Sequence, residues 1–175
     1  MPPQPLSFDP IAEARRQWDQ RSDQGPAMAA ATSIMRAQQL VLAAVDHALA
    51  PFDLSFARYE VLVLLSFSRN GSLPMGKMGG RLMVHPTSIT STVDRLVEQG
   101  FVQRAGHPDD RRIVLAEITP EGRRVVAAAT TAVEAAAFGL DAYADYELDS
   151  LTAALRPLRL AAGDFTPAPA PATSD

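Results

Sequence analysis

Between Pro86 and Gly122 the hydrophobic period of the chain changes twice, from helical to alternating and back to helical. The stretch reads PTSITSTVDRLVEQGFVQRAGHPDDRRIVLAEITPEG. Pro86 suits the first position of a helix, and Ile89, Val93, Leu96 and Val97 then recur at helical spacing as one apolar stripe. The spacing predicts a helix over 86–99, with Gly100 as its terminating glycine. FVQR (101–104) reads as a strand, AGHPDDR as a turn-rich tip, and IVLAEI (113–118) as the returning strand. Thr119 and Pro120 then restart a helix as N-cap and first-turn proline. A helix, a hairpin and a second helix, joined without a long loop, leave few folds open.

The flanks are helical. Asp9-Pro10 opens a helix expected over 11–22, which Gly25-Pro26 interrupts. An Ala-rich helix is expected from Ala27 to Ala50, ended by Pro51, and Ser55 is placed to cap a third, almost wholly apolar helix. Asn70-Gly71 marks a turn and Leu73-Pro74 a short extended piece. Lys77–Met83 makes a short helix that Gly79-Gly80 should loosen. After Thr119 a helix is expected through Leu140, and a last one over Asp145–Ala162 with a kink at Pro157. The end, TPAPAPATSD, has too little apolar bulk to fold.

Composition narrows the chemistry. Without cysteine, disulfides, Cys-ligated metals and thiol switches are excluded. The three histidines, His47, His85 and His107, lie too far apart in sequence for an expected metal site, and no cofactor or catalysis is implied. There is no run of 18 apolar residues, so no membrane-crossing helix is expected. MPPQPLSFDP lacks the basic region and apolar core of a secretory signal, so the cytoplasm is the expected location. The net charge is −4, yet Lys77 to Arg124 carries eight Lys or Arg against six Asp or Glu. A mildly basic segment sits inside an acidic protein.

The non-apolar side of helix 86–99 carries Thr87, Ser88, Thr90, Ser91, Asp94 and Arg95. Ser and Thr are poor helix formers, so propensity does not account for them. Short hydroxyls let a helix approach a major groove and bond phosphates or base edges, and Pro86 leaves the first amides free to meet a phosphate. An ordinary polar outer face is the competing reading. At the hairpin tip, Asp109 and Asp110 precede Arg111 and Arg112. Such arginines can enter a narrow minor groove, with a carboxylate holding the guanidinium beforehand, whereas the plain alternative is a surface turn with screened ion pairs. Gly71 to Met78 nearly spells a phosphate-binding loop, but Met78 cannot ligate Mg²⁺. No G-x-S-x-G elbow is present.

Taken together, residues 86–123 resemble the MarR family of winged helix-turn-helix regulators. The carrying motifs are Asp110-Arg111-Arg112 in the wing, followed through a strand by Ile118-Thr119-Pro120-Glu121-Gly122. A looser likeness extends over 27–162. The resemblance implies a mainly α fold with a small β-wing, built as a winged helix-turn-helix DNA-binding lobe with N- and C-terminal dimerisation helices. The expected division is an N-terminal extension with an extra helix (1–26), a dimerisation helix (27–54), the DNA-binding lobe (55–118), C-terminal dimerisation helices (119–163) and a disordered tail (164–175). It also implies a homodimeric repressor on a pseudo-palindromic double-stranded DNA operator. Contacts would come from Pro86, Thr87, Ser88, Thr90, Ser91, Arg95, Asp110, Arg111 and Arg112, with Asp110 paired to Arg112.

A small aromatic or organic anion between the dimerisation helices and the lobe is the implied effector. Trp18, on the extra helix, resembles a tryptophan of the urate-responsive subgroup, but Glu60 and Phe67 stand near positions where that subgroup has an acid and an arginine. Urate is therefore not carried over. Trp18, Arg36, Tyr59 and Phe67 are the expected pocket lining, with dimer-core packing the alternative for Trp18 and Tyr59. A protein-interaction adaptor that uses a winged helix without DNA is the competing function.

Overall fold

A computed structural model describes residues 5–110 and 112–166. Among them the chain forms α1 (Pro10–Asp19), α2 (Gly25–Leu49), α3 (Phe56–Phe67), β1 (Ser72–Pro74), α4 (Met75–Leu82), α5 (Pro86–Glu98), β2 (Val102–Gly106), β3 (Val114–Ile118), α6 (Pro120–Ala135) and α7 (Asp145–Ala161). The three strands make one antiparallel sheet in the order β1-β3-β2. The fold is mainly α with a small wing, as expected. Arg111, and the expected tail from residue 167 onward, lie outside the described residues.

Local chemistry sets most element ends. The Asp9 carboxylate accepts the Ile11 amide at 2.9 Å, and Pro10 follows as the first helical residue of α1. α5 closes in a Schellman motif: Phe101 N–H donates to the Leu96 carbonyl, Gly100 N–H to that of Val97, and Gly100 takes φ +75°. Ser55 stands at the N-cap of α3, but its hydroxyl does not cap. The Asp46 carboxylate of α2 accepts the Phe56 amide instead, at 2.8 Å.

The core lies within one lobe. Leu62 and Leu65 of α3, Met78 of α4, Val93 and Leu96 of α5, Val102 of β2, Ala116 of β3 and Ala129 and Val133 of α6 are all buried there. The C-terminal end of α2 joins it through Val45 and Leu49. Among the described residues, α1 and α7 bury none, and α2 is exposed throughout 30–40.

Several expectations change. Val97 is exposed, so only Ile89, Val93 and Leu96 of the α5 stripe reach the core. α6 stops at Ala135 rather than Leu140. Phe138 and Gly139 take positive φ there, and Gly139 lies so close to α2 that a Cβ would come within 2.6 Å of the Ala44 Cβ. Gly79, expected to loosen α4, is a close approach: a Cβ there would sit 3.0 Å from the Val84 carbonyl oxygen. Met78 is fully buried, which removes the phosphate-loop reading of 71–78. Helix Gly25–Phe52 reaches a mean hydropathy of 1.2 over 18 residues, so length and composition alone permit a membrane helix. Arg36, Gln38 and Gln39 interrupt it midway.

Candidate nucleic-acid interface

α5 stands on three buried side chains and turns its other face outward. Pro86, Thr87, Ser88, Thr90, Ser91 and Arg95 are all exposed. Five of these six, with Asp94 and Glu98, line one open surface of about 600 Å³; Ser88 lies outside it. His85 holds the helix start, its Nδ1 accepting the Thr87 amide at 3.3 Å. Thr90 donates back to the Pro86 carbonyl at 3.3 Å and Thr92 to that of Ser88 at 2.8 Å. Such bonds fold the hydroxyl back against its own helix. Arg95 pairs with Glu98 at 2.9 Å on the exposed face, an arrangement that water screens.

The wing sits beside this face. β2 and β3 pair from Val102↔Ile118 to Gly106↔Val114, and His107 N–H donates to the Ile113 carbonyl at the base of the loop. Asp110 shapes the tip through the backbone: its carboxylate accepts the Arg112 amide at 2.9 Å and its carbonyl the Ile113 amide at 3.0 Å. No ion pair joins the Asp110 and Arg112 side chains among the described residues. Arg111, expected at the same tip, falls outside those residues.

Below the wing, the Thr119 hydroxyl donates to the Gly100 carbonyl at 2.8 Å and accepts the Gly122 amide at 3.0 Å. A Cβ on Gly122 would overlap the Phe101 carbonyl oxygen. The Thr-x-x-Gly spacing is therefore the joint that docks α6 against the end of α5 and the start of β2.

Sequence reasoning missed three links. Arg104 of β2 pairs with Asp94 of α5 at 2.6 Å. Gln99 donates to the Asp53 carbonyl and carboxylate at 2.8 and 2.9 Å, tying the end of α5 to the segment before α3. Asp46 caps α3 from ten residues upstream. Each joins residues whose spacing carries no local signal.

The four residues expected to line an effector pocket do not share one cavity within the protomer. Tyr59 and Phe67 lie along a groove of about 480 Å³ with Leu82, Thr130 and Glu134. The Tyr59 hydroxyl bonds Thr130 Oγ1 at 3.1 Å. Glu60, in the same groove, is held above the ordinary carboxylate range by burial. Trp18 borders a separate depression on α1 with Gln17 and Arg21, and exposed Arg36 donates to Gln39.

Comparison with known proteins agrees with this architecture. A profile described as the MarR family matches residues 56–114. The structure of Sco5413, a MarR family transcriptional regulator from Streptomyces coelicolor, is 57% identical with a TM-score of 0.75, covering 81% of this chain and 99% of that one. CouR from Rhodococcus jostii RHA1, solved with p-coumaroyl-CoA bound, is 30% identical with a TM-score of 0.63, covering 71% and 87%. YhbI of Bacillus subtilis, an uncharacterised HTH-type transcriptional regulator, is 34% identical over 134 residues, 77% of this chain and 80% of its own. These relatives are regulators rather than enzymes, and the chain belongs to the MarR family of transcriptional regulators, with a DNA-binding winged helix.

Proposed function

We propose that this regulator is a homodimeric repressor, acting in the cytoplasm, whose grip on a pseudo-palindromic operator is released by a small ligand. The observation that carries it is the outer face of α5. Thr87, Ser88, Thr90 and Ser91 are exposed beside a wing, on a helix whose opposite face is locked into the core. Two such helices would enter successive major grooves about 34 Å apart. Because His85 already accepts the Thr87 and Ser88 amides, the DNA contacts would come from side chains. Pro86 would pack against the DNA backbone, Thr87, Ser88, Thr90, Ser91 and Arg95 would reach phosphates or base edges, and Asp110, Arg111 and Arg112 would bring the wing to the minor groove. In the domain terms used above, 55–118 is the DNA-binding lobe, and 27–54 with 119–163 provides dimerisation helices.

The dimer is supported by apolar surface that one protomer leaves uncovered. Met35 and Leu40 of α2 and Tyr146 and Leu158 of α7 are more than half exposed. Exposed apolar surface of this extent marks an interaction face, and a second copy would cover it symmetrically. A ligand that binds one arrangement of the dimer better than another shifts the spacing of the two α5 helices. CouR, with its bound p-coumaroyl-CoA, makes this kind of control reasonable here.

The test is fluorescence anisotropy on DNA from the chain's own promoter region, across a salt series, with Arg112→Ala alongside. Saturable binding that weakens steeply with salt and with the substitution is expected. Binding no better than to random DNA, unchanged by the substitution, would favour the adaptor function instead.

A further inference from the structure

The groove between α3 and α6 is walled mainly by apolar groups, including the aromatic rings of Phe56, Tyr59, Phe67 and Phe138. Phe67 is 85% exposed at its rim, so the ring face is open to a ligand. The charged residues lining the groove are Glu60 and Glu134. Among the described residues, neither carboxylate has an ion pair or a side-chain hydrogen bond. The Tyr59 and Thr130 hydroxyls share one hydrogen bond, which leaves the pair a single proton to donate into the groove.

Building on the ligand-release reading above, we infer that this groove takes a hydrophobic organic cation, its charge held between Glu60 and Glu134 and its apolar body against the aromatic rings. That is opposite in charge to the organic anion the family resemblance implies. An anion seated between the two carboxylates would lose hydration and be repelled by both, with one hydroxyl proton of the groove lining to offset the loss. A cation gains from both carboxylates and from the ring faces, whose quadrupoles attract positive charge. Burial already raises the proton affinity of Glu60, so the ionised group is under-solvated and has most to gain from a cation. Arg123 lines an adjoining depression that shares Val63, Phe67 and Thr130 with the groove. It would repel the cation from that end and orient the charge toward Glu60 and Glu134.

The test uses two probes of nearly the same shape and opposite charge, tetraphenylphosphonium and tetraphenylborate. Both are titrated calorimetrically into the full chain, into Glu60→Gln and Glu134→Gln, and into the double variant. The wild-type protein should bind the phosphonium at least about tenfold more tightly than the borate. The double variant should lose about tenfold or more for the phosphonium and nothing for the borate. The charge preference is measured on the unaltered chain, so it stands whether or not the variants fold. Tighter borate binding, or phosphonium binding unaffected in folded variants, overturns the inference. DNA anisotropy with each probe separates the two readings. Phosphonium that binds the groove without altering operator affinity supports the inference and overturns ligand release. Borate that binds tighter and releases DNA does the reverse.

Discussion

Asp94 of α5 and Arg104 of β2 stand 2.6 Å apart, so an ion pair joins the DNA-facing helix to the strand that carries the wing. Both side chains are nearly half exposed, which limits the pair to about 1 kcal/mol or less of folding stability. Its value lies in fixing the angle between helix and wing. A double-mutant cycle of Asp94→Ala and Arg104→Ala should show a coupling of about 0.2–1 kcal/mol in thermal unfolding. Operator affinity should fall more with Arg104→Ala than its stability does. Equal affinity for wild type and Arg104→Ala would mean that helix and wing are set independently.

The joint under the wing is expected to be intolerant of one methyl group. Gly122 lies against the Phe101 carbonyl, and both belong to backbone that Thr119 holds from two sides. Neither can shift without breaking those bonds. Gly122→Ala should cost about 1–3 kcal/mol in urea unfolding, through overpacking rather than helix propensity. Its neighbour Glu121 is exposed and pairs with Arg124 only at the surface, so Glu121→Ala serves as the control and should change stability much less than Gly122→Ala.

Punctuation written into adjacent residues was legible. Pro86, Gly100 and the Thr119-Pro120 pair mark their element ends because proline, glycine and capping hydroxyls act on the backbone within a few positions. The hydroxyl face of α5 was legible for the same reason, as periodicity assigns the faces of a helix. What the sequence hid depends on distant partners. Gly79 looked like a weak helix residue because its reason, the Val84 carbonyl folding back over it, exists only once the turn closes. Phe138 looked helical until Gly139 met Ala44 of α2. The groove drew Tyr59 and Phe67 from α3, which sequence reasoning named, and Glu134 and Phe138 from a segment about 70 residues later, which it did not.

Glu60 gives a pH dependence with a defined sign. Its carboxyl is held above the ordinary range in the folded chain by burial, so the folded state binds this proton more tightly than the unfolded state. Ionised Glu60 therefore lowers stability at neutral pH, and the penalty disappears as pH falls through its raised folded value. Glu60→Gln removes the charge and keeps the shape. The variant should melt slightly above wild type at pH 7, with the two melting curves converging as the pH is lowered into the acid range. A variant less stable than wild type at pH 7 would mean that the carboxylate has a favourable partner in the assembled protein.

The uncovered side of α2 makes the strongest demand on a partner. Met35 is 70% exposed and Leu42 lies seven residues on, two helical turns away on the same side. A membrane could cover such a stripe by composition, but it would also have to take Arg36, Gln38 and Gln39 from the same stretch of helix. A second copy covers the stripe and leaves those polar groups at a wet rim. The wild-type chain should therefore sediment as a dimer at micromolar concentration. Burying one Met side chain contributes about 1.5–3 kcal/mol, so Met35→Glu should weaken the dimer by about ten- to a hundredfold at least. Operator affinity should fall in step, because half-sites are read in pairs, while the helical circular dichroism of the lobe persists. A wild-type chain that sediments as a monomer at that concentration and still binds its operator would show that the stripe serves some other partner.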